Sequence, residues 1–312
     1  MASRIEAFQA VLDRARNARG VALMGICNVT PDSFSDGGAH FSPEAARARV
    51  DELLAEGADV IDIGGESTRP RAEPVSPEEQ IARVVDAVRY AASLGACVSI
   101  DTASPEVASV ALEAGAAVVN DVSCLRDEDL ARVVASAGAA FVLMHTRGTP
   151  DQMVGFSQYP AAAYGDIVQD ICAEWEGAAR RARSLGVQSR SLVMDPGLGF
   201  AKNAAQSLEL LARLREIVAI AGVPVAVGAS RKSFLTAVDP GASPTSRAGA
   251  SIAAALHAAH EGAAILRVHD VRATRQALDL ERRCAAISVQ HGQLRARLAG
   301  ETPREAGGHD RA

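Results

Sequence analysis

Short runs of β-branched and other apolar residues alternate with alanine-rich stretches of helical periodicity along most of the chain. Eight apolar runs end in polar residues or glycine and are predicted strands, at residues 21–29, 58–63, 97–100, 117–120, 139–144, 191–194, 224–227 and 264–268. The stretches that follow them are predicted helices, at residues 43–56, 77–93, 105–114, 128–137, 163–185, 204–220, 247–261 and 271–284. This strict alternation predicts a parallel sheet of the α/β class, and eight such units favour a closed (β/α)8 TIM barrel over an open doubly wound sheet.

The boundaries of this barrel follow from the two ends of the chain. Four apolar residues near the start share helical spacing: Ile5, Phe8, Val11 and Leu12. Residues 1–20 are therefore predicted to form an amphipathic helix, and residues 21–285 the barrel as a single domain. Residues 286–312 become polar and rich in glycine, which predicts an extension of the last helix followed by a disordered tail.

Composition narrows the classes of protein that fit this pattern. The net charge of -6 argues against a nucleic-acid binder, which needs a basic face. No apolar run reaches the roughly 18 residues that a membrane span requires. The first 20 residues are too polar for a secretory signal peptide. The five cysteines contain no CxxC pair, so a reduced, cytoplasmic protein is expected.

Polar residues follow the predicted strands at the end where a barrel of this type has its active site. They come from all eight units: Asn28, Asp62, Asp101, Asn120, His145, Asp195, the run Ser230–Ser233, and Arg267 with His269. Any one of them could be a helix cap or a loop residue. Because buried polar groups are costly unless they are paired or used, a whole ring at one face predicts a site for a polar ligand.

The residue types in this ring indicate the kind of ligand. An amino-lactam edge, as in guanine or pterin, needs acceptors and an amide donor, which Asp101, Asn120 and Asp195 supply. Donors for phosphate oxygens come later in the chain: Arg231, Lys232, Arg267 and His269. Asn28 offers a hard oxygen that suits Mg²⁺ held mainly through substrate phosphates. The site is predicted to bind a pterin-like heterocycle with a phosphate or pyrophosphate at the mouth.

Eight motifs occur in the order typical of one enzyme family. They are MGICNVTPDSFSDGG at 24–38, DIGGESTRP at 62–70, SIDT at 99–102, NDVS at 120–123, LMH at 143–145, DPGLGF at 195–200, SRKSF at 230–234 and RVHDV at 267–271. Together they span roughly residues 21–284, and they resemble the dihydropteroate synthases. The first motif together with SRKS and RVHDV is highly specific, whereas each motif alone is modest support.

This resemblance implies a transferase of folate biosynthesis. Its reaction condenses 6-hydroxymethyl-7,8-dihydropterin pyrophosphate with p-aminobenzoate, and it yields 7,8-dihydropteroate and pyrophosphate. The implied catalytic residues are Asp101, Asp195, Lys232 and Arg267. The implied pterin-binding residues are Asp101, Asn120, Asp195 and Lys232. The pyrophosphate would be held by Asn28, together with Mg²⁺, and by Arg267 and His269. The implied p-aminobenzoate site comprises Phe34, Thr68, Arg69, Pro70, Phe200 and Ser233, where sulfonamides would compete. A homodimer is the family expectation.

Two other functions compete with this one. A pterin-binding methyltransferase of related barrel type would pass a methyl group from a folate to a corrinoid protein, and it gives no reason for the cations of SRKS and RVHDV. A catalytically silent pterin binder would not need an intact set of Asn28, Lys232, Arg267 and His269.

Several positions depart from the family's usual pattern. Arg71, Cys124 and Ala201 stand where glycine is common, and Thr146 lies in a run that differs from the usual one. None of these positions has a direct family role, so the departures concern the kinetics more than the activity.

Overall fold

The computed structural model describes residues 3–30, 42–66, 75–148 and 158–298, with side chains described through residue 288. The strands are β1 Ala22–Asn28, β2 Val60–Gly64, β3 Cys97–Asp101, β4 Val118–Asp121, β5 Ala140–Met144, β6 Leu192–Asp195, β7 Ala226–Val227 and β8 Ile265–Val268. The α-helices are α1 Arg4–Arg19, α2 Pro43–Glu56, α3 Pro77–Ser93, α4 Pro105–Glu113, α5 Glu128–Ala137, α6 Ile167–Ser184, α7 Ala204–Ala212, α8 Leu214–Ala221, α9 Ala248–His260 and α10 Val271–Leu298.

The eight strands form one parallel sheet in the order β6-β5-β4-β3-β2-β1-β8-β7. A bridge between Met194 and Val225 joins β6 to the strand at the other end of this order. The Met194 amide donates to the Pro224 carbonyl at 2.9 Å, next to that bridge. The predicted (β/α)8 barrel is therefore confirmed. The region predicted as one helix at 204–220 is instead two helices, because the chain leaves helical geometry at Arg213.

Local sequence signals explain where the helices begin. Ser42, Ser76 and Ser104 each accept a hydrogen bond from a backbone amide of the first helical turn, and each is followed by proline. A serine cap satisfies an amide that the helix leaves unpaired, and proline suits the next position because its missing N–H is not needed there. These signals set the start of α2, α3 and α4, and so fix the length of the loop that precedes each helix.

Helix α1 closes the N-terminal end of the barrel. Ile5, Phe8, Val11 and Ala15 are buried and form one apolar cluster with residues of seven barrel strands. The guanidinium of Arg4 donates to the carbonyls of Leu112, Ala116 and Ala137, which lie at the C-terminal end of α4, just before β4 and at the C-terminal end of α5. The predicted amphipathic helix is present, and it leaves the opposite end of the barrel for a ligand.

Replacing Phe8 with alanine is expected to lower the free energy of unfolding by about 3–5 kcal/mol. The substitution removes a ring that is 1% exposed in the apolar cluster between α1 and the barrel strands. Asp13→Ala is the matched control on the exposed face of the same helix, where the Asp13–Arg16 ion pair is largely exposed, and it should stay within about 0.5 kcal/mol of the parent chain. Urea unfolding of the three proteins measures both effects. Equal losses would show that α1 does not seal the barrel.

The last helix, α10, continues past residue 284, where the predicted helix ends, and runs through Leu298. The helix extension expected after residue 285 is thus part of α10, and the expected disordered tail beyond it lies outside the described residues. In the part of the chain that the structure describes, no helix is long and apolar enough to cross a membrane.

Candidate active site

One cross-strand row at the C-terminal end of the barrel carries the first group of site residues. Pairing in register places Asn28 beside Gly64, Gly64 beside Asp101, and Asp101 beside Asn120. Gly64 keeps the row open, because a Cβ there would lie 3.3 Å from the Cβ of Asp101. Inward-facing positions recur every second residue of a strand, so Asp62 and its register partner Ser99 lie one layer deeper.

Arg267 of β8 joins two acidic residues across this floor. Its Nε donates to Asp62 Oδ2 at 2.6 Å, and its Nη2 donates to Asp101 Oδ2 at 2.6 Å. Asn120 Nδ2 also reaches Asp62 Oδ2, at 3.4 Å. Asp62 is fully buried, so the guanidinium supplies the positive charge that a buried carboxylate requires.

Three polar atoms on this floor have no hydrogen-bond partner among the residues that the structure describes: Asp62 Oδ1, Ser99 Oγ and Asp101 Oδ1. Unpaired buried oxygens are rare in folded proteins because each loses its hydration without compensation. Two carboxylate oxygens and a hydroxyl therefore remain available to a ligand that brings N–H donors. An amino-lactam heterocycle has such donors along one edge.

The charges of this cluster are tightly linked. Burial raises the pKa of Asp101 to about 7, and the adjacent Arg267 opposes that rise. Burial lowers the pKa of Arg267, but the carboxylates of Asp62 and Asp101 outweigh it and leave the net pKa above its ordinary value. Because both of its short contacts are to carboxylates, the guanidinium carries its charge, and the ion pair with Asp101 favours the ionised acid.

The loop after β6 supplies a further wall of the site. Asp195 Oδ1 accepts the Gly197 amide at 2.7 Å, and burial raises the pKa of Asp195. Gly197 has a φ of 68°, and a Cβ there would come within 2.0 Å of the His145 carbonyl oxygen. Only glycine fits this close approach between the loop and the end of β5. The DPG turn therefore holds Asp195 at a fixed place in the wall.

Lys232 reaches this wall from the loop after β7. Its Nζ donates to the Leu198 carbonyl at 2.6 Å and lies 4.7 Å from the centre of the Phe200 ring. Burial lowers the pKa of Lys232 to about 8, and the carboxylate of Asp195 opposes that shift. The lysine thus joins the predicted pterin wall to the aromatic ring of the predicted aminobenzoate pocket.

The end of β8 differs from the sequence-based expectation in its charges. His269 Nδ1 lies 3.0 Å from Ser230 Oγ, and Arg49 Nη2 donates to the His269 carbonyl at 2.8 Å. Burial, helped by Arg231 and Arg267, lowers the pKa of His269 to about 3. Burial therefore favours the neutral imidazole, which can still donate one ring N–H to an anion.

Arg231 was expected to help bind an anion, and its charge is instead partly used within the protein. Its guanidinium forms two hydrogen bonds to Asp270, at 3.1 and 2.5 Å. Its backbone has a φ of 60°, and Arg247 Nη1 donates to its carbonyl at 2.9 Å. These contacts make Arg231 a brace for the loop that presents Lys232. Arg267 is ion-paired in the same way, with Asp62 and Asp101, but it lies on the floor of the site. Its remaining N–H donors and the ammonium of Lys232 are therefore the basic groups of SRKS and RVHDV that can reach a ligand.

Sequence reasoning gave no role to two buried charged residues near the site, Asp62 and Lys202. Asp62 was identified as a strand end but received no role, although its position two residues before Gly64 marks it as inward-facing. Lys202 drew no attention, although it is 1% exposed and lies beside the Phe200 loop. The signal that could have found Lys202 is its rarity, since only two of the 32 basic Lys and Arg residues are lysines.

Some predicted residues lie outside the described residues: Phe34, Thr68, Arg69, Pro70 and the unusual Arg71. Ser233 directly follows Lys232 and begins a 3-10 helix, Ser233–Ala237. Two other departures from the motif pattern have left-handed backbone angles, with φ of 60° at Cys124 and 48° at Ala201. A side chain costs roughly 1–2 kcal/mol in that region. This is a conformational reason for the glycine that is usual at both positions.

Comparison with known proteins places this site in a family context. The model of the family described as "Pterin binding enzyme" matches residues 24–269. The chain is 44% identical over 264 residues to the dihydropteroate synthase of Mycobacterium leprae, covering 83% of this chain and 91% of that protein.

Two solved structures are also similar. One is the dihydropteroate synthase of Xanthomonas albilineans with 4-aminobenzoic acid, at 41% identity and a TM-score of 0.78, covering 85% of this chain and 93% of that one. The other is the Yersinia pestis dihydropteroate synthase in a sulfonamide drug complex, at 37% identity and a TM-score of 0.78, covering 85% and 94%.

Proposed function

The chain belongs to the dihydropteroate synthases of the pterin binding enzyme family, and on that premise we propose how its own residues divide the reaction. It is a transferase of folate biosynthesis, which condenses 6-hydroxymethyl-7,8-dihydropterin pyrophosphate with p-aminobenzoate and forms 7,8-dihydropteroate and pyrophosphate. The observation that carries the assignment of roles is the position of Arg267, whose guanidinium lies between Asp62 and Asp101 on the floor of the barrel mouth.

The pterin lies against the floor and the β6 wall. Asp101 and Asn120 face its amino-lactam edge from neighbouring strands, and Asp195 faces it from β6, two strands beyond Asn120. The unpaired oxygens on the floor support this assignment, because they match N–H donors of the heterocycle. Asp62, which the sequence analysis left without a role, fixes the orientation of the Arg267 guanidinium.

The pyrophosphate lies at the mouth beside Asn28, Arg267 and His269. Arg267 supplies positive charge, and neutral His269 supplies a hydrogen bond from its ring. Within the described residues no group of three His, Cys, Asp or Glu side chains could hold a metal ion. The side-chain oxygen of Asn28 fits a Mg²⁺ ion that takes most of its oxygens from the substrate. When bound there, Mg²⁺ would neutralise charge on the departing pyrophosphate.

The reaction begins with cleavage of the bond between the pterin methylene and the pyrophosphate oxygen. The bonding electrons leave with the pyrophosphate, where the Arg267 guanidinium stabilises the developing negative charge. The methylene becomes a cation that is delocalised into the dihydropterin, and the carboxylates of Asp101 and Asp195 stabilise it. The neutral arylamine nitrogen then forms the new C–N bond and releases a proton, so no strong base is needed.

The p-aminobenzoate pocket adjoins the Phe200 ring and the Lys232–Ser233 segment. Lys232 Nζ lies over that ring and also neighbours Asp195, so it spans the two substrates. The likeness to the Xanthomonas albilineans protein with 4-aminobenzoic acid supports this pocket, and the Yersinia pestis sulfonamide complex supports competition by sulfonamides.

We further propose that the protein forms a homodimer. Light scattering in solution would measure its molecular mass.

The two competing functions account for less of the site. A methyltransferase expels no pyrophosphate, so the charged Arg267 at the mouth would have no leaving group to stabilise. A silent pterin binder would not need Lys232 between the two pockets. Both alternatives leave the family membership unchanged but predict no dihydropteroate.

A direct assay tests the activity. Purified protein is mixed with dihydropterin pyrophosphate, Mg²⁺ and labelled p-aminobenzoate, and labelled dihydropteroate is expected to form together with one equivalent of pyrophosphate. A sulfonamide should raise the apparent KM for p-aminobenzoate without lowering kcat. Absence of product above the no-enzyme background would contradict the assigned reaction. Product formation that a sulfonamide does not inhibit competitively would contradict the shared pocket alone.

A further inference from the structure

Lys202 is a buried lysine in a chain that otherwise uses arginine for positive charge. Of the 32 Lys and Arg residues only Lys202 and Lys232 are lysines, and both lie beside the Phe200 loop. The Lys202 side chain is 1% exposed, and it forms no ion pair with any residue that the structure describes. A buried ammonium without a carboxylate is costly unless hydrogen bonds use its donors fully.

Three acceptors surround this ammonium. Its Nζ lies 2.9 Å from the Phe200 carbonyl, 3.0 Å from His145 Nδ1 and 3.4 Å from the His145 carbonyl. An ammonium has three N–H donors on one compact centre, whereas a guanidinium is a larger planar fork. The number of acceptors therefore matches lysine, and the contacts join the end of β5 to the loop after β6.

The acceptor nitrogen of His145 is itself held in place. His145 Nε2 lies 3.0 Å from Glu174 Oε2 on α6, so a proton on Nε2 leaves Nδ1 free to accept from Lys202. Arg147 holds the same carboxylate through two of its nitrogens, and its guanidinium lies 4.0 Å from the centre of the Tyr164 ring. Glu174, itself held by Arg147, therefore fixes the orientation of the His145 imidazole that Lys202 contacts.

The loop that Lys202 holds has an unfavourable backbone. Ala201 adopts a φ of 48°, and its carbonyl accepts the Tyr164 hydroxyl at 2.9 Å. Such a conformation persists only where surrounding contacts determine it. The contacts from Lys202 to Phe200 and from Tyr164 to Ala201 secure two consecutive carbonyls. Both carbonyls belong to the loop that carries the Phe200 ring.

We propose that Lys202 is a positioning residue that holds Phe200, through the backbone of its loop, in the place that p-aminobenzoate binding requires. The inference rests on the proposed division of the site. Lys202 contacts the Phe200 carbonyl and not the ring, so it acts on the aminobenzoate pocket through another residue. Within the described residues Lys202 forms no hydrogen bond or ion pair with the pterin floor at Asp62, Asp101 and Arg267. It acts on the pterin wall through electrostatic attraction to Asp195, without a direct bond, so pterin binding should be affected less than p-aminobenzoate binding.

A double-mutant cycle tests this inference. Lys202→Met should raise the KM for p-aminobenzoate about tenfold while the KM for the pterin pyrophosphate and kcat change less than about twofold. Phe200→Ala should raise the same KM, and adding Lys202→Met to it should have little further effect, because the residue that Lys202 positions is already absent. Lys202→Gln, which keeps an amide donor, should give an intermediate KM for p-aminobenzoate. It tests the same role if the Lys202→Met protein is insoluble.

The outcomes separate the inference from the activity. Additive effects of the Lys202 and Phe200 substitutions, equal increases in both KM values, or no increase in either would overturn the positioning role. Wild-type turnover is measured first in the same assay. A wild-type chain that forms no dihydropteroate overturns the assigned activity and this inference with it, whereas an active wild type with additive variants overturns the inference alone.

Discussion

Replacing Arg267 with alanine is expected to lower kcat/KM for dihydropteroate formation by about 10³-fold, the largest loss among the substitutions considered for this site. The guanidinium is the positive charge at the point where the pyrophosphate departs, and it also pairs with Asp101. Steady-state kinetics with both substrates measures the loss. Pterin binding, measured by calorimetry, should weaken far less than turnover, because Asn120 and Asp195 still face the heterocycle.

The same substitution should also destabilise the fold. It leaves the buried carboxylates of Asp62 and Asp101 without their partner, which costs about 3 kcal/mol or more. Arg267→Lys keeps the charge but cannot donate to both carboxylates in the same geometry, so an intermediate rate is expected. Arg215→Ala removes an exposed arginine paired with Glu261, and it should leave kcat/KM unchanged. Equal loss of pterin binding and turnover in Arg267→Ala would show that Arg267 does not act mainly on the leaving group.

Lys232→Met is expected to lower kcat/KM by about 10²-fold or more, with KM raised for both substrates. The ammonium bridges the Leu198 carbonyl, the Phe200 ring and the electrostatic field of Asp195, so its removal affects the pterin wall and the aminobenzoate pocket together. Initial rates over a matrix of the two substrate concentrations separate the two KM values.

The matched control for Lys232 lies at the end of the same segment. Val238 is 72% exposed and follows the 3-10 helix Ser233–Ala237, so Val238→Ala should retain the parent rates. A Lys232→Met enzyme with an increased KM for only one substrate would limit Lys232 to that substrate's pocket. Retention of more than about a third of the parent kcat/KM would remove it from the catalytic residues.

Lys232 and Lys202 illustrate different uses of the same side chain. Burial lowers the pKa of both groups, to about 8 for Lys232 and to about 7 for Lys202. Lys232 lies over the ring of Phe200, whereas Lys202 holds the carbonyl of the same residue. The predicted kinetics differ accordingly: the first substitution should affect both substrates, and the second mainly p-aminobenzoate.

The fold could be predicted from the sequence because its signals are local. The eight apolar runs predict the strands, and the Ser-Pro pairs and glycines mark where helices begin and end. Both signals can be recognised within a short stretch of sequence, without knowledge of distant contacts. Six helices begin where the pattern placed them, those predicted at 43–56, 77–93, 105–114, 128–137, 204–220 and 271–284. The break at Arg213 was missed, because no proline or glycine marks it, whereas the predicted extension of the last helix is present and runs to Leu298.

The membership of the site ring was also determined by the sequence. A parallel barrel brings the C-terminal ends of all its strands to one face, so Asn28, Asp101, Asn120, Asp195 and Arg267 had to meet there. Only the tertiary structure decided their pairing and protonation. Arg267 joins Asp62 to Asp101, from which it is separated by 205 and 166 positions along the chain, and burial lowers the pKa of His269. Distances across a barrel and the degree of burial depend on every element at once, so no local pattern encodes them.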